Sequence, residues 1–346
     1  MTKHVVRRLL QAIPTIFGVT VISFLLMMAT PGDPITMITF NPESTPESTA
    51  TLRRQLGLDQ PALVQYIYWF VGNDWVQIDV DGDGEGDIYG TRKGFLRGDL
   101  GQSIQQRRPV SEMIIERVPA TLQLTATAVV IGYVVGAVIG ILAAINHRGL
   151  FDQFARVLSV IGNAIPGFWL ALILIIFFSV QLKWLPMSGM RDMSRAEGGF
   201  DFVDRVKHMV MPVFVLSLGI IAGISRYTRT QVLEVLGQDY VRTARSKGLS
   251  DRRVYVQHVA RNALIPIATL LGPTLGTLLS GAVIIEQVFS WPGMGRLAVN
   301  AVTQRDYPVV MGSVLMGAVL YLLGNLLTDI FYVWLDPRIR FDGSSA

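Results

Sequence analysis

The chain has 346 residues, 51% hydrophobic and 16% charged, with a mean hydropathy of +0.43. Soluble domains carry about 25% charged residues, so 30 Lys and Arg with 26 Asp and Glu are too few to clothe a water-facing surface. Cys is absent, which excludes a disulfide framework, a thiolate metal site and a Cys nucleophile.

The apolar residues lie in long blocks, and the sequence predicts an all-α integral membrane protein. A crossing helix needs about 20 mostly apolar residues. Six stretches meet that need: 9–30, 120–145, 157–180, 209–225, 263–289 and 309–335. The first follows Lys3, Arg7 and Arg8 as a signal peptide would. It runs on into Pro31-Gly32-Asp33-Pro34 without a small-residue cleavage site, so a retained anchor is expected.

Residues 31–118 have room for a small extracytoplasmic subdomain. Within them, 79–90 read as an acidic loop in which Asp79, Asp81 and Asp83 take positions 1, 3 and 5 of a calcium loop. Gly84 supplies the turn, the Glu85 carbonyl position 7 and Asp87 position 9. Oxygen donors at alternate positions suit a hard cation, but Gly90 stands where a bidentate Glu belongs, so any calcium site is expected to be weak. The other reading is a solvated hairpin, because Asp-Gly steps are also turn chemistry.

In the second span, Gly132, Gly136 and Gly140 recur every four residues and predict close helix packing. Residues 226–262 form a basic, amphipathic loop. Its first part, Tyr240 to Lys247, predicts a helix ended by Gly248, and Ser250 is placed to cap a second helix through Val254, His258 and Ala260. Such a pair, with small Ala244 flanked by Arg242 and Arg245, suits a groove on another protein. Ionisable residues inside spans are functional candidates by default. Glu286, near the outer end of the fifth span, is expected either to face a solute path or to order the Trp291-Pro292-Gly293 loop. Asp329 in the sixth is expected to be a structural partner.

Orientation follows from the basic residues. With the N-terminus inside, the cytoplasmic pieces hold 15 Lys and Arg in 67 residues, against 15 in 135 outside. Both termini are therefore expected in the cytoplasm.

The loop resembles the cytoplasmic loop of importer-type ABC permeases, which carry Glu-Ala-Ala, three residues, then Gly. Aligned on Gly248, Arg242-Thr243-Ala244 keeps only the last Ala, a form similar to that of the dipeptide/oligopeptide/nickel branch. Pro31-Gly32-Asp33-Pro34, Gly98-Asp99-Leu100-Gly101, Phe289-Ser290-Trp291-Pro292-Gly293-Met294-Gly295 and Asp336-Pro337-Arg338-Ile339-Arg340 carry the resemblance along the chain. Residues 73–92 stand apart as an insertion.

The resemblance implies a type I, binding-protein-dependent importer permease with six transmembrane helices. It implies an anchor helix (1–30), the extracytoplasmic segment (31–118), a five-helix core (119–336) and a tail (337–346). The implied partners are a second homologous permease, two cytoplasmic ATPases that hold ATP-Mg, an extracytoplasmic binding protein and membrane lipid, with no nucleic acid. Asp239, Tyr240, Arg242, Ala244 and Gly248 would form the ATPase-coupling element. Di- and oligopeptides lead as cargo, ahead of nickel complexes and other small solutes. The chain itself has no Gly-x-x-x-x-Gly-Lys-Ser/Thr loop and no catalytic constellation, so ATP hydrolysis is expected on partners. An ion-coupled secondary transporter would call for paired halves with broken helices, and no internal repeat is visible.

Overall fold

The computed structural model describes residues 2–29, 45–192 and 200–335. The motifs at 31–34 and 336–340 and the tail lie outside them, as does the side chain of Asp329. The chain divides into two compact units. One holds 9–119 and 293–319, and the other holds 1–8, 120–292 and 320–346.

The first unit contains most of α1 (Thr2–Ala29), α2 (Pro46–Gln55), α3 (Ala62–Phe70), a hairpin of β1 (Gln77–Ile78) and β2 (Ile88–Tyr89), the start of α4 (Val110–Ile145), α13 (Met294–Thr303) and the start of α14 (Tyr307–Leu335). Among the described residues this two-stranded hairpin is a small exception in a mostly helical chain. Gln77 pairs with Tyr89 and Ile78 with Ile88, because the glycine-rich acidic run between them turns the chain back on itself.

An apolar core of Leu100, Val110, Ile114, Met294 and Val309 holds this unit together. Beside it Trp69 stacks on Phe95, with centroids 5.7 Å apart. The Gly98–Gly101 motif is a loop closure. Asp99 accepts from the Gly101 and Lys93 amides at 2.8 and 2.9 Å, and both glycines take positive φ. Buried Asp306 accepts from the Ser103 hydroxyl and from the Ile104 amide at 3.1 Å, which fixes the loop ahead of α4.

The second unit holds the rest of α4 followed by α5 (Leu150–Ala164) and α6 (Gly167–Leu174), which widens into a π-helical stretch at Ile175–Gln181. α7 (Phe202–Leu236), α8 (Asp239–Ser246) and α9 (Asp251–Arg253) follow, then a second π-helical stretch at Val254–Ala260. It closes with α10 (Arg261–Ala268), α11 (Leu271–Gly281) and α12 (Val283–Val288).

Among the described residues four helices are long and apolar enough to cross a membrane: α1, α4, α7 and α14. α5 and the helix from Gly167 to Gln181 pass the same test together, bent by 97°. Proline explains the bend. Pro166 has no amide to donate and pushes Ile165 into extended backbone, ψ 123°.

The expected fifth span is not one rod but three short helices. Pro273 cannot bond back to residue 269, and the chain breaks at 269–270. The expected fourth span is longer than read. α7 starts at an Asp201 cap that accepts from the Val203 and Asp204 amides at 2.9 and 3.2 Å, and it passes Ser225 without a break.

The glycines of α4 receive α7. A Cβ at Gly132 would meet Ile220, one at Gly136 would meet Ile224, and one at Gly140 would stand 2.5 Å from the Ser225 carbonyl.

Candidate functional site

The basic loop forms a short helix seated on its own chain. α8 spans two turns, and its end is a complete glycine cap. Gly248 takes φ 76°, its amide bonds to the Arg245 carbonyl at 2.9 Å, and the Leu249 amide reaches back to the Ala244 carbonyl at 3.4 Å. No neighbour lies within 4 Å of a Cβ at Gly248, so the left-handed backbone alone requires glycine.

Val241 and Ala244, three residues apart on one face, are buried against Val232, Val254, Val259 and Ala263. This corrects the expectation for Ala244. It faces the permease and not a partner's groove, because the apolar stripe of α8 is taken up by α7 and the following segment.

The exposed face carries Asp239, Tyr240, Arg242, Thr243 and Lys247. Arg242 lies 3.7 Å from Asp239, with 79% of its side chain exposed. Arg245 leans on the Tyr255 ring, 5.8 Å from its centroid, and lies 3.4 Å from Asp251, bracing α8 against the next segment. Ser250 stands at the start of α9 as expected, but its hydroxyl makes no capping bond.

A second cluster beside this element was not read from the sequence. Asp152 in the first turn of α5 is fully buried, and Arg229 of α7 forks onto its carboxylate. The Arg148 amide donates to it at 3.0 Å, and His147 Nδ1 lies 3.1 Å from Arg229. The signal was available, since Asp152 is the single acid among His147, Arg148 and Arg156.

Glu286 is fully buried, and the Thr121 hydroxyl donates to its Oε1 at 2.7 Å. Its backbone carbonyl accepts from the Trp291 amide at 2.8 Å, while Trp291 Nε1 donates to the Ala120 carbonyl at 2.9 Å. These bonds tie Glu286 both to α4 and to the Trp291 loop.

In the acidic loop, carboxylate oxygens of Asp79, Asp81 and Asp87 lie within 4.8 Å of one another. The Asp83 carboxylate stands outside that group, and Glu85 was expected to offer only its backbone carbonyl. The Asp83 carboxylate instead accepts from the Glu85 amide at 2.8 Å. Asp79 accepts from the Gly82 and Gly84 amides, and these bonds hold its pKa below the usual carboxylate range.

Residues 136–341 match the family described as binding-protein-dependent transport system inner membrane component, and residues 1–125 match its N-terminal component. The oligopeptide transport system permease protein AppB of Bacillus subtilis (strain 168) is 38% identical over 99% of this chain and 100% of that protein. The dipeptide transport system permease protein DppB of Escherichia coli (strain K12) is 38% identical, over 98% of this chain and 99% of that one. The di/tripeptide transport system permease protein DppB of Pseudomonas aeruginosa (strain UCBPP-PA14) is 39% identical over the same shares.

Two inward-facing structures of the MetNI methionine ABC transporter match at TM-scores of 0.50 and 0.51. They are 16% and 18% identical and cover 65% and 64% of this chain and 97% and 96% of theirs, a likeness of fold. The chain is a multi-pass membrane protein that belongs to the binding-protein-dependent family of ABC importer permeases.

Proposed function

We propose that this chain forms half of the transmembrane pathway of an ATP-driven importer of di- and oligopeptides. The permease relatives, at 38–39% identity over nearly the full chain, support the cargo. A second, homologous permease completes the pathway, two cytoplasmic ATPases power it, and an extracytoplasmic binding protein delivers the peptide. The chain crosses six times with both termini inside. Residues 31–118 lie outside, and the boundaries are 1–30, 31–118, 119–336 and 337–346. The broken helices α10, α11 and α12 together serve as the fifth crossing.

The observation that carries this reading is α8. A rigid two-turn helix, capped by Gly248 and anchored through Val241 and Ala244, offers Tyr240, Arg242 and Lys247 outward. ATPase closure would push on that face, and the buried face would pass the movement to α7 and the membrane helices. Glu286 has no cargo role here, since it holds the Trp291 loop. In the acidic loop a calcium ion would take oxygens from Asp79, Asp81 and Asp87.

Affinity purification from membranes tests the assembly. The tagged chain should bring down a second permease and an ATPase, and proteoliposomes holding the complex should take up labelled dipeptide only with ATP and binding protein. Uptake driven by an ion gradient without ATP would refute the reading. Single Cys residues at Asp83 and Ser250 check the orientation. An impermeant thiol reagent should label position 83 on intact cells and spare 250.

A further inference from the structure

The two faces of α7 are used differently. Ile220, Ile224 and Thr228 pack on the glycines of α4. Gly219, Gly223, Arg226 and Tyr227, with Pro273 and Thr274 of α11, line a cavity of about 590 Å³. Small-molecule sites have roughly 300–1,000 Å³. Cβ atoms at Gly219 and Gly223 would meet nothing within 4 Å, so these glycines leave space and are not held by packing.

Most polar groups around the cavity are already engaged. The Thr230 hydroxyl donates to the Arg226 carbonyl at 3.1 Å. Thr274 Oγ1 donates to the Leu270 carbonyl at 2.7 Å and lies 2.9 Å from the Tyr133 hydroxyl. The heads of Arg226 and Tyr227 remain. Among the described residues no acidic side chain pairs with Arg226, whereas Arg229, three residues along the same helix, has Asp152 and His147. A guanidinium cannot shed its charge. Arg226 is exposed at the rim of the cavity, just past the apolar run, with no counter-ion among the described residues, so its fork is open to an anionic occupant.

We propose that Arg226 is a specificity residue of the pathway, whose guanidinium receives the C-terminal carboxylate of a peptide in transit. The inference rests on the peptide reading above. A carboxylate matches the guanidinium fork with two parallel hydrogen bonds, and Tyr227 lines the same cavity. The ammonium end of the peptide is repelled, so the cavity orients its cargo. A helix of the second permease is the competing occupant.

The test uses the complete complex in proteoliposomes with saturating binding protein. Turnover is measured for a labelled tripeptide and its C-terminal amide, after the binding protein's own preference has been measured separately. Wild type should turn over the free acid about tenfold faster, the loss expected for one charge-assisted pair. Arg226→Gln should bring the ratio close to one, and Arg226→Lys should keep most of it. An unchanged ratio in Arg226→Gln overturns the proposal. So does loss of the co-purifying second permease in that variant, which would make the cavity a subunit contact. If wild type carries neither peptide, the peptide reading fails first and takes this inference with it.

Discussion

Arg229 closes onto the buried carboxylate of Asp152, with Nη2 2.8 Å from Oδ2, and so ties α7 to the first turn of α5. Only 18% of the Arg229 side chain is exposed, so the pair is shielded from water. Removing one partner leaves a charge that the fold has already desolvated, and such losses cost about 3–5 kcal/mol. Asp152→Ala is expected near the lower end, because the Arg229 left behind keeps 18% of its side chain exposed. Replacing both residues, Asp152→Leu with Arg229→Met, should recover most of the loss. Thermal unfolding of the detergent-solubilised permease reads both. A double variant no more stable than the single one would show that the pair stabilises by more than mutual neutralisation.

The coupling element separates two kinds of damage. Gly248→Val places a β-branched residue at φ 76°, which costs about 1–2 kcal/mol, while Gly248→Asn should be tolerated. Ala244→Glu forces a charge into the packing of Val232 and Val254, and should loosen α8 before any partner is met. Arg242→Glu leaves the seat intact and reverses a charge on the exposed face. Peptide-stimulated ATPase activity of the complex should fall in all three damaging variants. Only Arg242→Glu should keep wild-type thermal stability of the isolated permease. Full stimulation in Arg242→Glu would move the docking surface elsewhere.

Much of this element was legible because its causes are local. Gly248 ends α8 by the conformation of one residue, and the spacing of Gly132, Gly136 and Gly140 was enough to indicate close helix packing. Ala244 was misplaced because its burial depends on Val232 and Val259, which sequence spacing does not bring near. The breaks at Pro166 and Pro273 were readable from proline chemistry, but a count of apolar residues averages over them. Arg226 was hidden by a boundary. The apolar run stops at Ser225 while the helix continues to Leu236, so a charge within the helix was read as part of a loop.

Asp74 and Arg97 supply a pH dependence. Arg97 donates from Nη1 and Nη2 to the two Asp74 oxygens at 2.7 and 2.6 Å, and this holds the Asp74 pKa below its ordinary value. A depressed folded pKa contributes stability that is complete above the unfolded value, about 3.9, and is lost as pH falls through the folded one. Asp74→Asn should therefore weaken the loop by the same amount from pH 7 down to about pH 5. The gap to wild type should close only below about pH 4. Hydrogen exchange at the Arg97 loop, measured at pH 7 and pH 5, should show equal excess exchange in the variant. A gap that narrows by pH 5 would place the pair's titration higher than this geometry allows.

Calcium at millimolar concentration, the range of weak extracellular sites, should raise the thermal midpoint of the full-length permease. Asp79→Asn with Asp81→Asn should abolish the rise, whereas Glu85→Gln should leave it, since Glu85 would offer only its backbone carbonyl, which the change keeps. An equal rise with magnesium would mark a general response to divalent charge. No rise in wild type would leave a hairpin held by its own Asp side chains.

Glycine to alanine changes along α4 and α7 should sort by what the new methyl meets. Alanine improves helix propensity by about 1 kcal/mol. At Gly219 the methyl meets nothing within 4 Å, so Gly219→Ala should stabilise by most of that amount. At Gly132 it would come 2.6 and 2.7 Å from Cγ2 and Cβ of Ile220, and Cβ cannot turn aside by rotation, so overpacking should outweigh the propensity gain. At Gly140 it would stand 2.5 Å from the Ser225 carbonyl and 3.0 Å from the Arg229 amide, and backbone cannot move without opening the helix crossing. Overpacking of that kind costs about 1–3 kcal/mol. It would also displace Arg229 from Asp152, so Gly140→Ala should be destabilising in spite of its propensity gain. Thermal midpoints should then rank Gly219→Ala above wild type, Gly132→Ala below it and Gly140→Ala lowest. A Gly140→Ala variant as stable as wild type would mean that α4 and α7 do not cross this closely.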